Sequence, residues 1–331
     1  MTVTSEAKVE TRRSARDWAI MWERYGISAV LVVFWILAAL TTPRFASFDN
    51  LDNVLRQASF VGVAAVGMTI AIIAGTFDLS VGSNLALSAT IAVWTAAHYG
   101  VAAAIFAGLA TGTLVGAING LLVSRVRIPA FIATLGMMFV LAGFALVLTG
   151  GNAYRFNGPS FIWMGNGSIG PLPTPFVLLI ICALIGAGIL RLTTFGRHVY
   201  AVGSNSVAAI MAGVPIQRLM LTVFMVVGLF TGAAAVLLGS RLYSAGPGLE
   251  PGFELRVIAT VVLGGSRLAG GRGGMLGTVA AAILFATLAN VLNLNHADAF
   301  WQRVVEGLVL LLALSIEGIR QRIEERMSRT Q

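Results

Sequence analysis

The chain has 331 residues, of which 57% are apolar and 11% charged, where soluble domains hold about 45–50% and about 25%. Its 22 basic and 14 acidic side chains cannot cover a soluble fold of this size, so much of the surface must face lipid. The net charge of +8 would suggest nucleic acid in a soluble chain, but here the basic residues sit in short segments between long apolar runs; no nucleic-acid partner is expected. One cysteine, Cys182, excludes a disulfide framework, and His98, His198 and His296 lack metal-ligand spacing, so neither metal nor cofactor is expected.

Residues 1–25 form a mixed-charge polar tail without a signal-peptide pattern. Apolar runs follow at 26–42, 57–74, 80–97, 100–123, 130–149, 174–190, 219–239, 254–266, 275–293 and 301–317. Most reach the length that carries a helix across about 30 Å of hydrocarbon. They predict an all-α fold, a polytopic membrane bundle of about ten helices forming a single domain over 26–317, with a second tail at 318–331. The eighth run is short, and a polar break at Gly75–Asp78 separates the second from the third. Both features suit discontinuous helices around a cavity. The segments A-G-T-F-D-L-S-V-G-S (74–83) and G-F-E-L-R-V-I-A (252–259) each set a lone acid before Leu and an apolar helix. They lie five runs apart and therefore in opposite orientation, the pattern of an inverted internal repeat.

Assigned to alternate sides of ten spans, all but six of the 22 Lys and Arg share the side of the amino terminus; the exceptions are Arg44, Arg56, Arg155, Arg241, Arg256 and Arg303. Cytoplasmic loops carry the basic excess, which places both termini in the cytoplasm.

Several segments carry chemical content. Asp78 is an acid at the mouth of an apolar helix, kept at membrane depth only where it is paired, capped or facing water. It either caps the free N–H groups near Ser80 and Val81 or lines a path through the bundle. Gly112, Gly116 and Gly120 repeat on one helix face and admit close backbone approach. The loop from Arg191 to Arg218 contains a short helix, Ser206–Ala212, with Asn205 as N-cap and Gly213 and Pro215 as its stop. Its small, mildly apolar surface either docks into a groove on a partner or lies along the membrane interface. The run G-G-S-R-L-A-G-G-R-G-G (264–274) lacks G-K-[S/T] and the G-x-G-x-x-G spacing, so it reads as a tight cytoplasmic turn and not as a phosphate loop.

Five blocks, A-G-T-F-D-L-S-V-G (74–82), I-P-A-F-I-A-T-L-G (128–136), T-F-G-R-H-V-Y-A-V-G-S-N-S-V-A-A-I-M-A-G (194–213), E-L-R-V-I-A-T-V-V-L-G-G (254–265) and G-G-R-G-G-M-L-G-T (270–278), resemble in order and spacing the sugar-type permeases of bacterial ATP-binding-cassette importers. The resemblance covers nearly the whole chain. Departures are Thr76-Phe77 where Gly-Ile is frequent, Ala130 where a second Pro is common and Thr260 where Ala is usual. Phe77 and Ala130 bear on which solute is carried. The resemblance implies an inner-membrane permease, not an enzyme, that passes a small sugar or sugar-like solute. Its partners would be a second permease copy or paralogue, a cytoplasmic ATPase supplying the energy, a periplasmic sugar-binding protein meeting loops 150–173 and 240–253, and the lipid bilayer. Carried over by position, the ATPase-coupling residues are Thr194, Phe195, Gly196, Arg197, Ala201, Gly203, Asn205, Ala208, Ala209 and Gly213. The path or cap residues are Phe77, Asp78, Ser80, Asn84, Thr134 and Glu254. An ion-driven secondary transporter would instead want several intramembrane acids or histidines; only Asp78, Glu254 and Glu306 approach that. A membrane scaffold or receptor would want a signalling domain, and the sequence offers none.

Overall fold

The computed structural model describes residues 26–298 and, with gaps, 300–315. The tails, Arg303, Glu306 and the end of the last expected span lie outside the described residues. Each of the first nine apolar runs carries a helix. These are α1 (Gly26–Thr41), α2 (Phe48–Ile73), α3 (Val81–Tyr99), α4 (Val101–Ser124), α5 (Ala130–Thr149), α7 (Thr174–Leu192), α10 (Ile216–Leu242), α11 (Phe253–Leu263) and α12 (Met275–Leu294). Shorter helices α6 (Pro159–Asn166), α8 (Thr194–Ser204) and α9 (Ser206–Met211) lie in the connections. The chain is thus a polytopic helical membrane protein.

Among the described residues, α2, α4, α5, α7, α10 and α12 are long and apolar enough to cross a bilayer. The other three fall short for physical reasons. Helix α1 has sixteen residues, α3 carries the buried polar residues Asn84, Ser88, Thr90 and Thr95, and α11 at 1.5 Å per residue covers only about 16 Å.

Helix α2 is the axis of the bundle. Its most apolar window is 94% buried, and α7, α10, α11 and α12 pack around it. An all-round apolar helix can be buried in protein or face lipid; α2 takes the first role, while α4, α5 and α7, at 22–28% buried, present most of their surface outward. On α5 that surface includes Phe131, Ile132, Phe139, Val140, Phe144 and Val147.

Glycine decides the tightest crossing. A Cβ at Gly112 would overlap the Gly228 carbonyl, and one at Gly116 would overlap that of Phe224, while Gly228 and Gly232 meet Gly112 and Gly108 in return. The face expected on α4 therefore seats backbone to backbone against α10.

The loops 150–173 and 240–253 form one ledge. Strand β1 (Tyr154–Arg155) pairs antiparallel with β4 (Ser244–Ala245), and β2 (Ser168–Ile169) with β3 (Leu172–Pro173). Ser240 Oγ accepts from the Gly165 N–H at 2.7 Å and donates to the Phe161 carbonyl. Arg56, almost fully buried, pins the ledge to α2: it bonds Asp52 at 2.6 Å, the Gly167 carbonyl at 2.8 Å and Ser168 Oγ at 2.9 Å.

Candidate functional site

Helix α2 stops because Gly75 adopts φ +81°, letting the Gly75 and Thr76 N–H groups bond back to the Ile72 and Ala71 carbonyls, both at 3.0 Å. The freed chain turns inside the bundle before α3 begins, and Asp78 sits in that turn with no solvent exposure. Its Oδ1 accepts from the Ser80 N–H at 2.8 Å and from Ser80 Oγ at 2.6 Å, while Oδ2 accepts from Asn119 Nδ2 at 3.1 Å. Asn119 Nδ2 also donates to Ser80 Oγ at 2.8 Å. The carboxylate thus satisfies the start of α3 through Ser80, and α4 supplies the third donor.

Asn119 is the residue that sequence reasoning missed. It stands next to Gly120 but turns away from the glycine face toward Asp78 and Ser80, and an amide in so apolar a run was the available signal. Its Oδ1 and the Thr76 hydroxyl are buried without a hydrogen-bond partner among the described residues.

The remaining path or cap residues divide. Asn84 is fully buried and ties α3 to α4, donating to the Gly112 carbonyl at 3.3 Å and accepting from Ser88 Oγ at 3.0 Å. Thr134 is buried on α5 and donates to its own helix at the Ala130 carbonyl, 2.8 Å away. Phe77 is half-buried and meets Phe131 of α5 edge-on, with ring centroids 6.5 Å apart. Glu254 is half-buried, and its carboxylate lies so close to Gly82 that an added Cβ there would overlap it. The first turns of α3 and α11 therefore meet, each bringing a positive helix end. Asp78, Ser80, Asn84 and Thr134 have essentially no exposure; Phe77 and Glu254 have some.

The loop from 191 to 218 folds as two helices. Thr193 caps α8 by accepting from the Gly196 N–H at 3.1 Å. Asn205 caps α9, as expected, by accepting from the Ala208 N–H at 2.9 Å. Gly213 at φ +81° closes α9, with the Val214 N–H bonded to the Ala209 carbonyl at 3.0 Å. Burial divides the expected coupling residues. Thr194, Arg197, Ala201, Asn205, Ala208 and Gly213 are exposed, whereas Phe195 is half-buried. Gly196, Gly203 and Ala209 pack inward: a Cβ at Gly196 would overlap the Leu190 carbonyl, one at Gly203 would overlap that of Ile73, and Ala209 is 4% exposed. The outward face of α9 belongs instead to Val207, Ile210 and Met211, at 67%, 60% and 87% exposure. Their i, i+3, i+4 spacing was readable as one face. Burial pushes the Tyr200 hydroxyl on α8 above the ordinary phenol range, with Arg191 opposing the shift.

The buried Asp78 carboxylate, the meeting first turns of α3 and α11 and the exposed two-helix segment α8–α9 thus lie along one connected part of the bundle. The family model for the permease component of branched-chain amino acid transport systems matches residues 50–314. The chain belongs to this permease family. The permease is 36% identical over 324 residues to the ribose import permease protein of Escherichia coli, covering 96% of its own length and 100% of the relative's. It is 35% identical over 314 residues to the L-arabinose transport system permease protein of the same species, covering 94% and 95%. Against the ribose import permease protein of Bacillus subtilis it is 36% identical over 317 residues, covering 95% and 98%. No solved structure matches it. The permease is therefore a transport subunit of an ATP-binding-cassette importer and not an enzyme; hydrolysis belongs to a separate ATPase.

Proposed function

We propose that the permease passes a pentose or a similarly small, hydroxyl-rich solute across the bacterial inner membrane, with both termini in the cytoplasm. The observation that carries this reading is full-length similarity to two permeases whose names specify ribose import and L-arabinose transport. A neutral solute suits a bundle whose buried polar side chains, the paired Arg56 and the hydrogen-bonded Asp78 apart, are amides and hydroxyls. The reading also suits Asp78, whose carboxylate already accepts from Ser80 and Asn119 and is poorly placed for the ion relay of a secondary transporter.

In this reading α8 and α9 dock in a cleft of the ATPase, with Val207, Ile210 and Met211 as the contact face. The ledge built from 150–173 and 240–253 receives the periplasmic binding protein. A second permease, identical or related, completes the path, and lipid covers α4, α5 and α7 elsewhere. Closure of the ATPase pair draws the two coupling segments together and exchanges outward for inward access. The segments 74–83 and 252–259 act as counterparts in inverted halves, a reading supported by the meeting of α3 and α11 at Gly82 and Glu254.

The test is uptake of radiolabelled D-ribose and L-arabinose into proteoliposomes holding the permease with its ATPase and binding protein. Uptake should require ATP and survive a protonophore. Uptake that proceeds without ATP and collapses with the proton gradient would refute the reading.

A further inference from the structure

The coupling segment, the end of α2 and the glycine-rich loop between α11 and α12 meet at one point, where backbone lies directly against backbone at Gly203, Gly270 and Gly75, with the Ser204 hydroxyl and the Ile73 side chain beside Gly271 and Gly273. A Cβ at Gly203 would overlap the Ile73 carbonyl and lie 2.6 Å from the Gly271 nitrogen. One at Gly270 would lie 2.9 Å from the Gly203 carbonyl oxygen and 3.0 Å from the Gly75 Cα. Two hydrogen bonds close the junction: the Gly271 N–H donates to the Ile73 carbonyl at 2.9 Å, and the Tyr200 hydroxyl donates to the Gly273 carbonyl at 2.9 Å. The loop is pinched at its base, where a Cβ at Gly277 would overlap the Gly264 carbonyl. On the other side of the contact, Gly75 leads directly into Thr76, Phe77 and Asp78.

We propose that this junction carries the motion of the coupling segment into the Asp78 break, with loop 264–274 as a second moving part and Tyr200 as the positioning residue that holds the loop to α8. Side chains at an interface can absorb a small displacement by changing rotamer, whereas backbones in direct contact must move together or separate. Gly203 stands on the element that meets the ATPase in the proposed function, and Gly75 stands three residues before Asp78; the inference rests on that docking. It also gives the glycine run a role beyond that of a tight turn. Close packing alone would make the same glycines necessary for folding but would leave transport per ATP unchanged in any variant that folds.

The test uses the full complex in proteoliposomes with Tyr200→Phe, which deletes one hydrogen bond, and Gly203→Ala, which forces the backbones apart. A first readout is ATP hydrolysed per D-ribose or L-arabinose imported, expected to rise about 2- to 10-fold in Tyr200→Phe if the lost bond favours one access state. A second readout needs no solute: in a Cys182→Ser background, a thiol at half-buried Leu79 should change its maleimide labelling rate when vanadate traps the ATPase. That response should shrink in Tyr200→Phe and vanish in Gly203→Ala. If Tyr200→Phe inserts normally and both readouts match the parent, the inference is overturned. If the parent imports neither sugar yet shows a trapping response that the variants lose, the solute assignment fails and the junction stands. A parent without any trapping response overturns the junction even where ATP-driven uptake is intact.

Discussion

Asp78 offers the sharpest separation of structure from electrostatics. Replacing it with Ala removes the acceptor for the Ser80 N–H, Ser80 Oγ and Asn119 Nδ2 at once. Asn119 keeps its bond to Ser80 Oγ, but the Ser80 N–H is left buried and unpaired. At about 0.5–1.5 kcal/mol for each of the bonds lost by Ser80 Oγ and Asn119 Nδ2 and about 1–3 for the orphaned Ser80 N–H, Asp78→Ala should lose about 2–6 kcal/mol. Asp78→Asn keeps an oxygen for Ser80 and turns an amide toward Asn119, whose Oδ1 has no partner and can accept after the Asn119 amide flips, at the loss of the bond from Asn119 Nδ2 to Ser80 Oγ. That variant should lose about 1–2 kcal/mol, and the exchange Asp78→Asn with Asn119→Asp should also fold. Thermal melting of the detergent-solubilised permease reads all three. If Asp78→Asn melts as low as Asp78→Ala while Asn119→Leu melts like the parent, the carboxylate charge holds the break and the hydrogen-bonded polar set does not.

Four further outcomes follow from the geometry. Met211→Glu should insert normally, because the side chain is 87% exposed, yet weaken ATPase binding about tenfold or more as a buried contact is lost; Ala209→Glu should instead fail to accumulate, and equal binding by Met211→Glu would exclude α9 as the contact face. Asn205→Ala should reduce melting stability by about 1 kcal/mol through loss of the α9 cap, and Asn205→Ser should restore most of it. In a Cys182→Ser background, a thiol at Ser160 should react with impermeant maleimide in intact cells and one at Ser204 should not; equal reaction would reverse the orientation drawn from the basic residues. Gly228→Leu should separate α4 from α10 and lower expression sharply, whereas Gly143→Leu on α5, where an added Cβ meets nothing, should be silent in the same assay.

Apolar length and glycine punctuation made the helices and their breaks readable, since a run of membrane length, Gly75 and Gly213 each act locally. The Asn205 cap was legible for the same reason. What could not be read was which face turns inward. Gly203 and Ala209 sit in the same small-residue stretch as Ala201 and Ala208, yet the first two are packed and the last two exposed, because α2 and the glycine-rich loop approach from distant parts of the chain. Asn119 escaped notice because it lies 41 residues from Asp78, and nothing local couples them. The central place of α2 was likewise hidden: hydropathy alone does not tell a helix surrounded by protein from one surrounded by lipid.

The α4–α10 crossing also bears on how the chain is made. At about 5–20 residues per second, translation brings Gly228 into being about 6–23 s after Gly112. During that interval the glycine face of α4 has no α10 to meet. Its earlier neighbour is already present, however, because Asn84 reaches the Gly112 carbonyl and Asn119 reaches Asp78, all within residues synthesised before α5 is complete. The buried polar set thus gives the nascent α3–α4 hairpin an internal fastening that shields its amides and carboxylate from lipid while the groove waits. A variant lacking Asn119 should accordingly be vulnerable to membrane quality control during synthesis as well as less stable once folded, a difference visible as a loss of yield larger than its loss of melting stability alone would cause.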